Sequence, residues 1–239
     1  MTILALESSA GPASVAVLRD EKILYEANLN TQTTHSQTLM PMVDEAMKIT
    51  GLNMNDIDLL AVACGPGSFT GVRIGVSAVK GMAFGGGKKC LGVSTLEAMA
   101  YNLLSINGTA VCVMDARCSQ VYCGIFKISD GVVTRIAPDN ALSISGLKEI
   151  LEGIEGDVYL VGDGAEICYK SFGGELQNVK LSPANERYQK ASSVSLCAQR
   201  KILDGAEAIS GGELEVIYLR LPQAERELLA KKEKENGKN

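Results

Sequence analysis

The sequence contains a single histidine, His35, and neither an H-x-x-x-H nor an H-E-x-x-H pairing. A catalytic zinc site normally takes three protein ligands, and a serine triad needs a histidine as its base. No G-x-S-x-G elbow is present either. We therefore predict no metal, no cofactor and no catalytic residue, and we expect His35 near the N-terminus of the first helix.

An excess of positive charge is also missing. The net charge is −5, so the chain lacks the basic surface that binds phosphate backbones. We expect it to reach RNA only through a protein partner.

Long apolar runs are absent as well. None approaches the ~18 residues that a membrane helix needs. Residues 1–14 lack the basic start and the cleavage site of a secretory leader. We expect a cytoplasmic protein that makes no membrane contact.

The seven cysteines include no C-x-x-C pair, and their number is odd. Most of them fall in apolar stretches that are typical of strands or helices. A disulfide framework normally uses an even number of cysteines. We therefore interpret them as reduced side chains of the core.

The sequence does contain an alternation of strand-like and helix-like segments. β-branched or alternating residues indicate the strands, and apolar residues at i, i+3, i+4 and i+7 indicate the helices. The predicted elements of the first part are strands at 2–7, 13–19, 22–30, 59–64 and 90–93 and helices at 36–50, 71–84 and 95–104. The order βββαβαβα predicts a mixed sheet with helices packed on it.

The same plan then restarts. Residues 110–115 repeat the apolar strand of residues 3–7, and both strands close on an acid. The remaining predicted elements are strands at 121–128, 132–136, 158–161 and 215–219 and helices at 165–172, 192–203 and 223–235. A duplicated unit of this kind predicts an α/β fold of the actin-like (ASKHA, ribonuclease H-like) type with two lobes, 1–106 and 107–239.

The segment from Gly65 to Gly75, GPGSFTGVRIG, joins an apolar strand to a helix through a glycine-rich turn. A helix that opens after such a turn points free N–H groups outward, which favours an anion or a partner's carbonyl group. The candidate residues are Ser68, Thr70 and Gly71. No Gly-Lys-Ser/Thr follows, so the turn is not a Walker loop. A purely structural role for the glycines is the equal alternative.

Two acids are further nucleotide or anion candidates, because Glu7 and Asp115 end the first strand of each repeat. Actin-type kinases usually hold Mg²⁺ with an aspartate there. The longer side chain of Glu7 disfavours phosphoryl transfer, and a bond from Glu7 to its own turn is the alternative. Asp163, between two glycines, either lines the adenosine side of such a cleft or caps the following helix.

The two major helices of the first lobe are apolar on more than one side. On helix 71–84 one apolar face begins at Val72 and a second at Ile74, whereas a sheet covers only one face. Helix 36–50 adds a methionine-rich face. We interpret the excess as a protein interface, with burial in the core as the alternative. The predicted interface residues are Leu39, Met42, Val43, Met47, Val72, Arg73, Val76, Val79 and Met82.

The chain resembles the TsaB (YeaZ) family of bacterial tRNA-modification proteins over nearly its whole length. The matching stretches are ILALESS, HSQTLMPMVDEAM, GPGSFTGVRIGVSAVKGMA, GVSTLEAMA, DARCSQVYCGIF, VGDGA and IYLRLPQAE. The most specific of them is GPGSFTGVRIG. Two positions depart from the family pattern: Glu7 stands where many members have aspartate, and residues 118–120 stand where members often have a basic residue, a glycine and a glutamate.

The resemblance implies a two-lobed actin-like fold and a non-catalytic role in forming N6-threonylcarbamoyladenosine (t6A) in tRNAs that read codons beginning with adenine. In that family the catalytic paralogue TsaD keeps a metal-binding histidine pair, in whose place this chain has residues 92–97. The resemblance further implies TsaD and the ATPase TsaE as partners, threonylcarbamoyl-AMP from a separate synthase, and a homodimer through the first-lobe helices when the chain is alone. An actin-type ATPase or small-molecule kinase that works through Glu7, Asp115 and the glycine turns is the alternative function.

Overall fold

The computed structural model describes residues 1–31 and 33–220, which form two five-stranded sheets with helices packed on them. The strands are β1 (Thr2–Glu7), β2 (Ala13–Arg19), β3 (Lys22–Leu29), β4 (Leu59–Ala63), β5 (Lys89–Val93), β6 (Gly108–Arg117), β7 (Gln120–Ser129), β8 (Val132–Ser143), β9 (Val158–Val161) and β10 (Val179–Leu181). The helices are α1 (His35–Thr50), α2 (Phe69–Gly86), α3 (Thr95–Ala100), α4 (Ile144–Glu152), α5 (Ala165–Phe172), α6 (Ala184–Arg187) and α7 (Ala191–Leu203). None of the helices in these two ranges combines the length and the apolar content needed to cross a membrane.

The two sheets share one strand order, which confirms the predicted duplication. The first runs β3-β2-β1-β4-β5 and the second runs β8-β7-β6-β9-β10. In each sheet the leading strand pairs antiparallel with its hairpin partner and parallel with the strand that follows the next helix: β1 with β2 and β4, β6 with β7 and β9. The chain therefore has the duplicated α/β fold of the actin-like type.

Helices cover both faces of the first sheet. Successive side chains of a strand point to opposite faces, so Leu4 and Leu6 pack with α1 and α2, whereas Ile3 and Ala5 pack with α7. All four side chains are fully buried. This two-sided burial explains why β1 is a nearly continuous apolar run.

The bounds of α1 and α2 follow from their capping residues. α1 ends at Gly51, whose left-handed backbone (φ 68°) lets its N–H bond to carbonyl groups of the last turn. α2 begins at Phe69, ahead of the predicted start at residue 71, because the Ser68 hydroxyl accepts a hydrogen bond from the N–H of Gly71 at 3.2 Å.

Two helices pack on the sheet of the opposite half. α3 follows the first sheet in sequence but carries Leu96 and Met99 into the core beneath β6 and β7. α7 comes from the second half but packs Val194 and Cys197 against β1, β2 and β4. A boundary after residue 106 therefore separates α7 from the sheet that it covers, and the division into lobes 1–106 and 107–239 stays a prediction.

The predicted strand at 215–219 is wrong. Its backbone makes one hydrogen bond just after β4, from the Ile217 N–H to the Cys64 carbonyl at 2.7 Å, and it forms no ladder with a described strand. α4, α6 and β10 are not among the predicted elements, and β8 ends at 143, seven residues beyond its predicted end at 136. The predicted helix at 223–235 lies outside the described residues.

All seven cysteines lie within the described residues and are free thiols. Six are buried, and Cys118 is exposed in the turn between β6 and β7. Burial raises the pKa of the Cys64 thiol to about 11, so this thiol stays protonated at neutral pH and acts as a small apolar side chain.

Candidate functional site

A cleft of about 640 Å³ lies where the two halves of the chain meet. Its walls come from the turn after β1, the glycine turn before α2, the end of β6 with Tyr122 of β7, Asp163 after β9, and residues 217–220. It brings together Ser68, Thr70 and Asp115 of the predicted anion candidates. Three of the five candidates therefore lie together, Ser68 and Thr70 at the N-terminus of α2 and Asp115 near the end of β6, whereas Glu7 and Gly71 do not line the cleft.

The glycine turn is packed directly against the turn after β1. A Cβ atom at Gly67 would overlap the carbonyl oxygen of Ser9, and one at Gly71 would overlap that of Ser8. At Gly75 a Cβ would lie 2.5 Å from the Ser8 Oγ atom. The glycines thus have a structural role: they let α2 approach the β1 turn closely. Anion binding at this turn stays a prediction.

The N-terminus of α2 lines the cleft with Ser68 and Thr70. The hydroxyl of Ser68 is used as the helix cap, and its backbone N–H donates to the Ser9 carbonyl at 2.6 Å. Thr70 is exposed, and Gly71 is buried beneath it. Ser68 and Thr70 are both exposed at the cleft, and only Ser68 has its hydroxyl oxygen in the helix cap.

Glu7 is 1% exposed and bonds to its own turn. The N–H of Ser9 donates to Glu7 Oε1 at 2.6 Å. Burial raises the pKa of Glu7 from 4.5 to about 7; hydrogen bonds from Ser9 oppose this rise and the nearby charge of Asp163 adds to it. A carboxyl group that is half protonated near neutral pH and already bonded to the backbone is a poor ligand for Mg²⁺.

The two acids of the second half differ in their surroundings. Asp115 is exposed and accepts a hydrogen bond from the N–H of Arg117 at 2.7 Å. Asp163 accepts one from Gln189 Nε2 at 2.7 Å, and burial raises its pKa. Asp163 does not cap α5, because Gly164 occupies the N-cap position without a side-chain bond. That alternative for Asp163 is therefore wrong.

His35 begins α1, close to its predicted place, and is used structurally. Its Nε2 atom lies 2.7 Å from the Ala10 carbonyl oxygen, so this nitrogen donates the hydrogen bond. The ring also packs beside Gly71. Among residues 1–31 and 33–220, no group of three or more His, Cys, Asp or Glu side chains is arranged to hold a metal ion.

Most of the predicted interface residues of α1 and α2 face the sheet rather than the solvent. The six that are buried in the chain's own core are Leu39, Met42, Val43, Val72, Val76 and Val79. Met47 and Met82 are half-buried, and Arg73 is exposed. The sheet covers these six side chains in the single chain, as the alternative of burial in the core predicts, and their part in a partner interface stays a prediction.

The second apolar face of α2 remains partly open. Ile74, Ala78 and Met82 are half-buried at the edge of the first core. Near the end of the helix Phe84 is 93% exposed, and on α1 Ile49 is 63% exposed. An exposed aromatic side chain next to half-buried apolar ones is typical of a protein interface.

Arg73 belongs to a stack at the mouth of the cleft. Its guanidinium lies 3.6 Å from the ring centroid of Phe69, and its Nε donates to the hydroxyl of Tyr218 at 2.7 Å. The cleft is also lined by Tyr218, Arg220 and Arg117, which are not among the predicted site residues. The signal for them was their place in the matching stretches IYLRLPQAE and DARCSQVYCGIF.

Known proteins are similar to this chain in sequence and in fold. A family model described as "TsaD: tRNA N6-adenosine threonylcarbamoyltransferase" matches residues 28–225. The tRNA threonylcarbamoyladenosine biosynthesis protein TsaB of Escherichia coli (strain K12) is 32% identical over 167 residues, which cover 69% of this chain and 72% of that protein. The chain belongs to the TsaB family.

Further relatives agree with this assignment. TsaB of Bacillus subtilis (strain 168) is 29% identical over 227 residues, which cover 94% of this chain and 96% of that protein. Among solved structures, YeaZ from Pseudomonas aeruginosa superposes with a TM-score of 0.75 at 24% identity and covers 91% of this chain and 99% of its own. The structural likeness supports the fold, and the TsaB relatives connect the family with t6A biosynthesis.

Proposed function

We propose that this TsaB-family chain is a non-catalytic subunit in the formation of t6A in tRNAs that read codons beginning with adenine. It binds and supports a TsaD-like threonylcarbamoyltransferase, works with a TsaE-like ATPase in the cytoplasm, and meets tRNA only through that complex. The proposal rests on one observation: the chain belongs to the TsaB family, and its only histidine, His35, is hydrogen-bonded to the Ala10 carbonyl.

Two features favour this proposal over an actin-type ATPase or kinase. Glu7, at the position of the expected magnesium ligand, is buried and bonded to Ser9. The glycines of the turn before α2 are occupied by close contact with Ser8 and Ser9, which leaves the backbone there less free to cradle a phosphate.

The docking surface that we propose is the exposed side of α1 and α2. It combines Arg73 and Phe84 with the half-buried Met47 and Met82. The six buried residues predicted for the interface support this surface from below. When no TsaD-like partner is present, two copies of the chain pair through the same surface.

Phe84→Asp is expected to weaken binding of the TsaD-like paralogue at least tenfold and to convert the isolated dimer to a monomer. Burying a phenylalanine side chain is worth about 1.5–3 kcal/mol, and about 1.4 kcal/mol corresponds to tenfold in Kd. Because Phe84 is 93% exposed in the single chain, its replacement leaves the fold intact. Calorimetry gives the Kd, and light scattering gives the mass of the isolated chain.

Leu203→Asp is the matched control. Leu203 is 73% exposed at the end of α7, which packs on the opposite face of the first sheet from α1 and α2. It should leave both the Kd and the mass unchanged. Equal effects of the two substitutions, or no effect of Phe84→Asp, would contradict the proposed surface.

A further inference from the structure

Residues 214–220 run along one side of the cleft, from the core beside the first sheet to the end of β6 in the second sheet. The segment begins in the first core, where Leu214 is 1% exposed. It continues without helix or strand, and residues 217–220 form one wall of the cleft. A segment without regular structure owes its position to the contacts that it makes along its path.

The first of these contacts is with the end of β4. The N–H of Ile217 donates to the Cys64 carbonyl at 2.7 Å. Gly65 has a φ of 117°, and the space of its missing Cβ is filled by the Ile217 carbonyl. Any other residue at position 65 would be strained and would displace Ile217. The glycine turn therefore accommodates the crossing segment as well as the β1 turn.

The second contact joins the segment to α2. The ring of Tyr218 lies 5.0 Å from that of Phe69, and its hydroxyl accepts the hydrogen bond from Arg73. Aromatic rings attract each other, and a guanidinium over the face of a ring is attracted to its π electrons. The Arg73 side chain is thus used to hold Tyr218 at the cleft mouth.

The third contact crosses to the second half. The Arg220 guanidinium donates to the Ala116 carbonyl at 3.0 Å, near the turn between β6 and β7. Arg117, Cys118 and Ser119 in that turn all have a positive φ, which non-glycine residues seldom adopt. Through this hydrogen bond, Arg220 connects the segment to the wall of the cleft that β6 and β7 form.

We propose that residues 214–220 form a clasp that fixes the width of the cleft between the two halves. The clasp is anchored to the first half by Ile217 and Tyr218 and bonded to the second by Arg220. When it is released, the two halves move relative to each other and the cleft widens. This inference is independent of the proposed role in t6A formation, because it concerns the isolated chain.

Other contacts also join the halves, and the experiment must separate them from the clasp. Lys201 on α7, which packs on the first sheet, pairs with Glu97 on α3, which packs on the second, at 2.9 Å; the same carboxylate pairs with Arg135 of β8 at 2.9 Å. These ion pairs lie on elements that line no part of the cleft mouth. If they alone set the spacing, loss of the clasp would not change the cleft width.

Spin labels across the cleft measure this width. The first label attaches to native Cys118, the only exposed cysteine of the chain, and the second to Asn28→Cys, an exposed site on β3 that pairs with Ser14 near the cleft end of β2. In full-length protein diluted with unlabelled chain, we expect one narrow distance distribution. In the Tyr218→Ala/Arg220→Ala variant we expect a longer mean distance and a distribution roughly twice as wide.

The control pair is Tyr169→Ala/Arg200→Ala, which removes the same two residue types from α5 and α7, outside the cleft. It should reproduce the narrow distribution of the parent protein. Circular dichroism verifies that both variants are folded, which we expect because Tyr218 and Arg220 are partly exposed. An unchanged distribution in the folded Tyr218→Ala/Arg220→Ala variant, or equal broadening in the control, overturns the clasp.

Discussion

Val76→Asp is expected to lower the free energy of unfolding by roughly 3–5 kcal/mol, enough to unfold a chain of ordinary stability. Val76 is 4% exposed and packs in the core between α2 and the first sheet. A carboxylate there loses its hydration and gains no cationic partner. Urea denaturation followed by circular dichroism measures the effect.

Ser77→Asp provides the control, since it adds the same charge one residue later, at an exposed position of the same helix. Its effect on stability should stay within about 0.5 kcal/mol. A Val76→Asp protein that is folded and as stable as its parent, yet no longer binds the TsaD-like paralogue, would contradict the burial of this face. It would place Val76 on the partner surface after all.

Glu7→Gln is expected to stabilise the chain by about 3 kcal/mol at pH 8 and by less than about 1 kcal/mol at pH 5. Burial raises the pKa of Glu7 from 4.5 to about 7. The folded state therefore holds the Glu7 proton more tightly than the unfolded state does. Stability from this group is complete below pH 4.5 and is lost as the pH rises to about 7.

The substitution keeps the contacts of the folded state. The amide oxygen of glutamine can still accept the hydrogen bond that Ser9 N–H now gives to Glu7 Oε1. Only the ionisation is removed, together with its repulsion by Asp163. Urea denaturation of both proteins at several pH values between 5 and 8 gives the difference directly.

Glu213→Gln should change the free energy of unfolding in the opposite direction. Hydrogen bonds from Ser210 lower the pKa of Glu213, so its contribution to stability is present above its unfolded pKa and is lost as the pH falls. The variant should be less stable than its parent at pH 8. A Glu7→Gln protein that is no more stable than its parent at pH 8, or that is stabilised equally at pH 5, would contradict a buried Glu7 whose pKa is raised.

The duplicated fold could be predicted from the sequence because each repeat carries the same strong local signals. Each repeat begins with an apolar strand that carries an acid at or near its end, Glu7 in β1 and Asp115 in β6, and each begins the same strand order. The exchange of α3 and α7 could not be predicted in this way. Periodicity shows that a helix has an apolar face, but it does not say which sheet covers that face.

The predicted interface residues show the same limit of what periodicity can say. On α2 the sequence distinguishes two apolar faces, beginning at Val72 and Ile74, but cannot say which one lies on the sheet. The structure puts Val72 in the core and leaves Ile74 half-buried. The helix α4 was missed because its signal is short: Ser143 caps it, yet Gly146 interrupts the apolar pattern.

The glycine turn illustrates what local sequence cannot resolve. Its glycines predict either a ligand or a close neighbour, and the neighbours lie far away in sequence, at Ser8, Ser9 and Ile217. Only the folded chain brings them to the turn. The predicted strand at 215–219 was wrong for a related reason, since its apolar alternation serves packing at Leu214 and Val216 without a ladder.

The central claim is tested most directly by measuring t6A in unmodified tRNA after incubation with threonylcarbamoyl-AMP and purified proteins. The account predicts no t6A with this chain alone, and t6A formation by the TsaD-like paralogue that increases at least tenfold when this chain is added. Formation of t6A by the isolated chain, or full activity of the paralogue without it, would contradict the account.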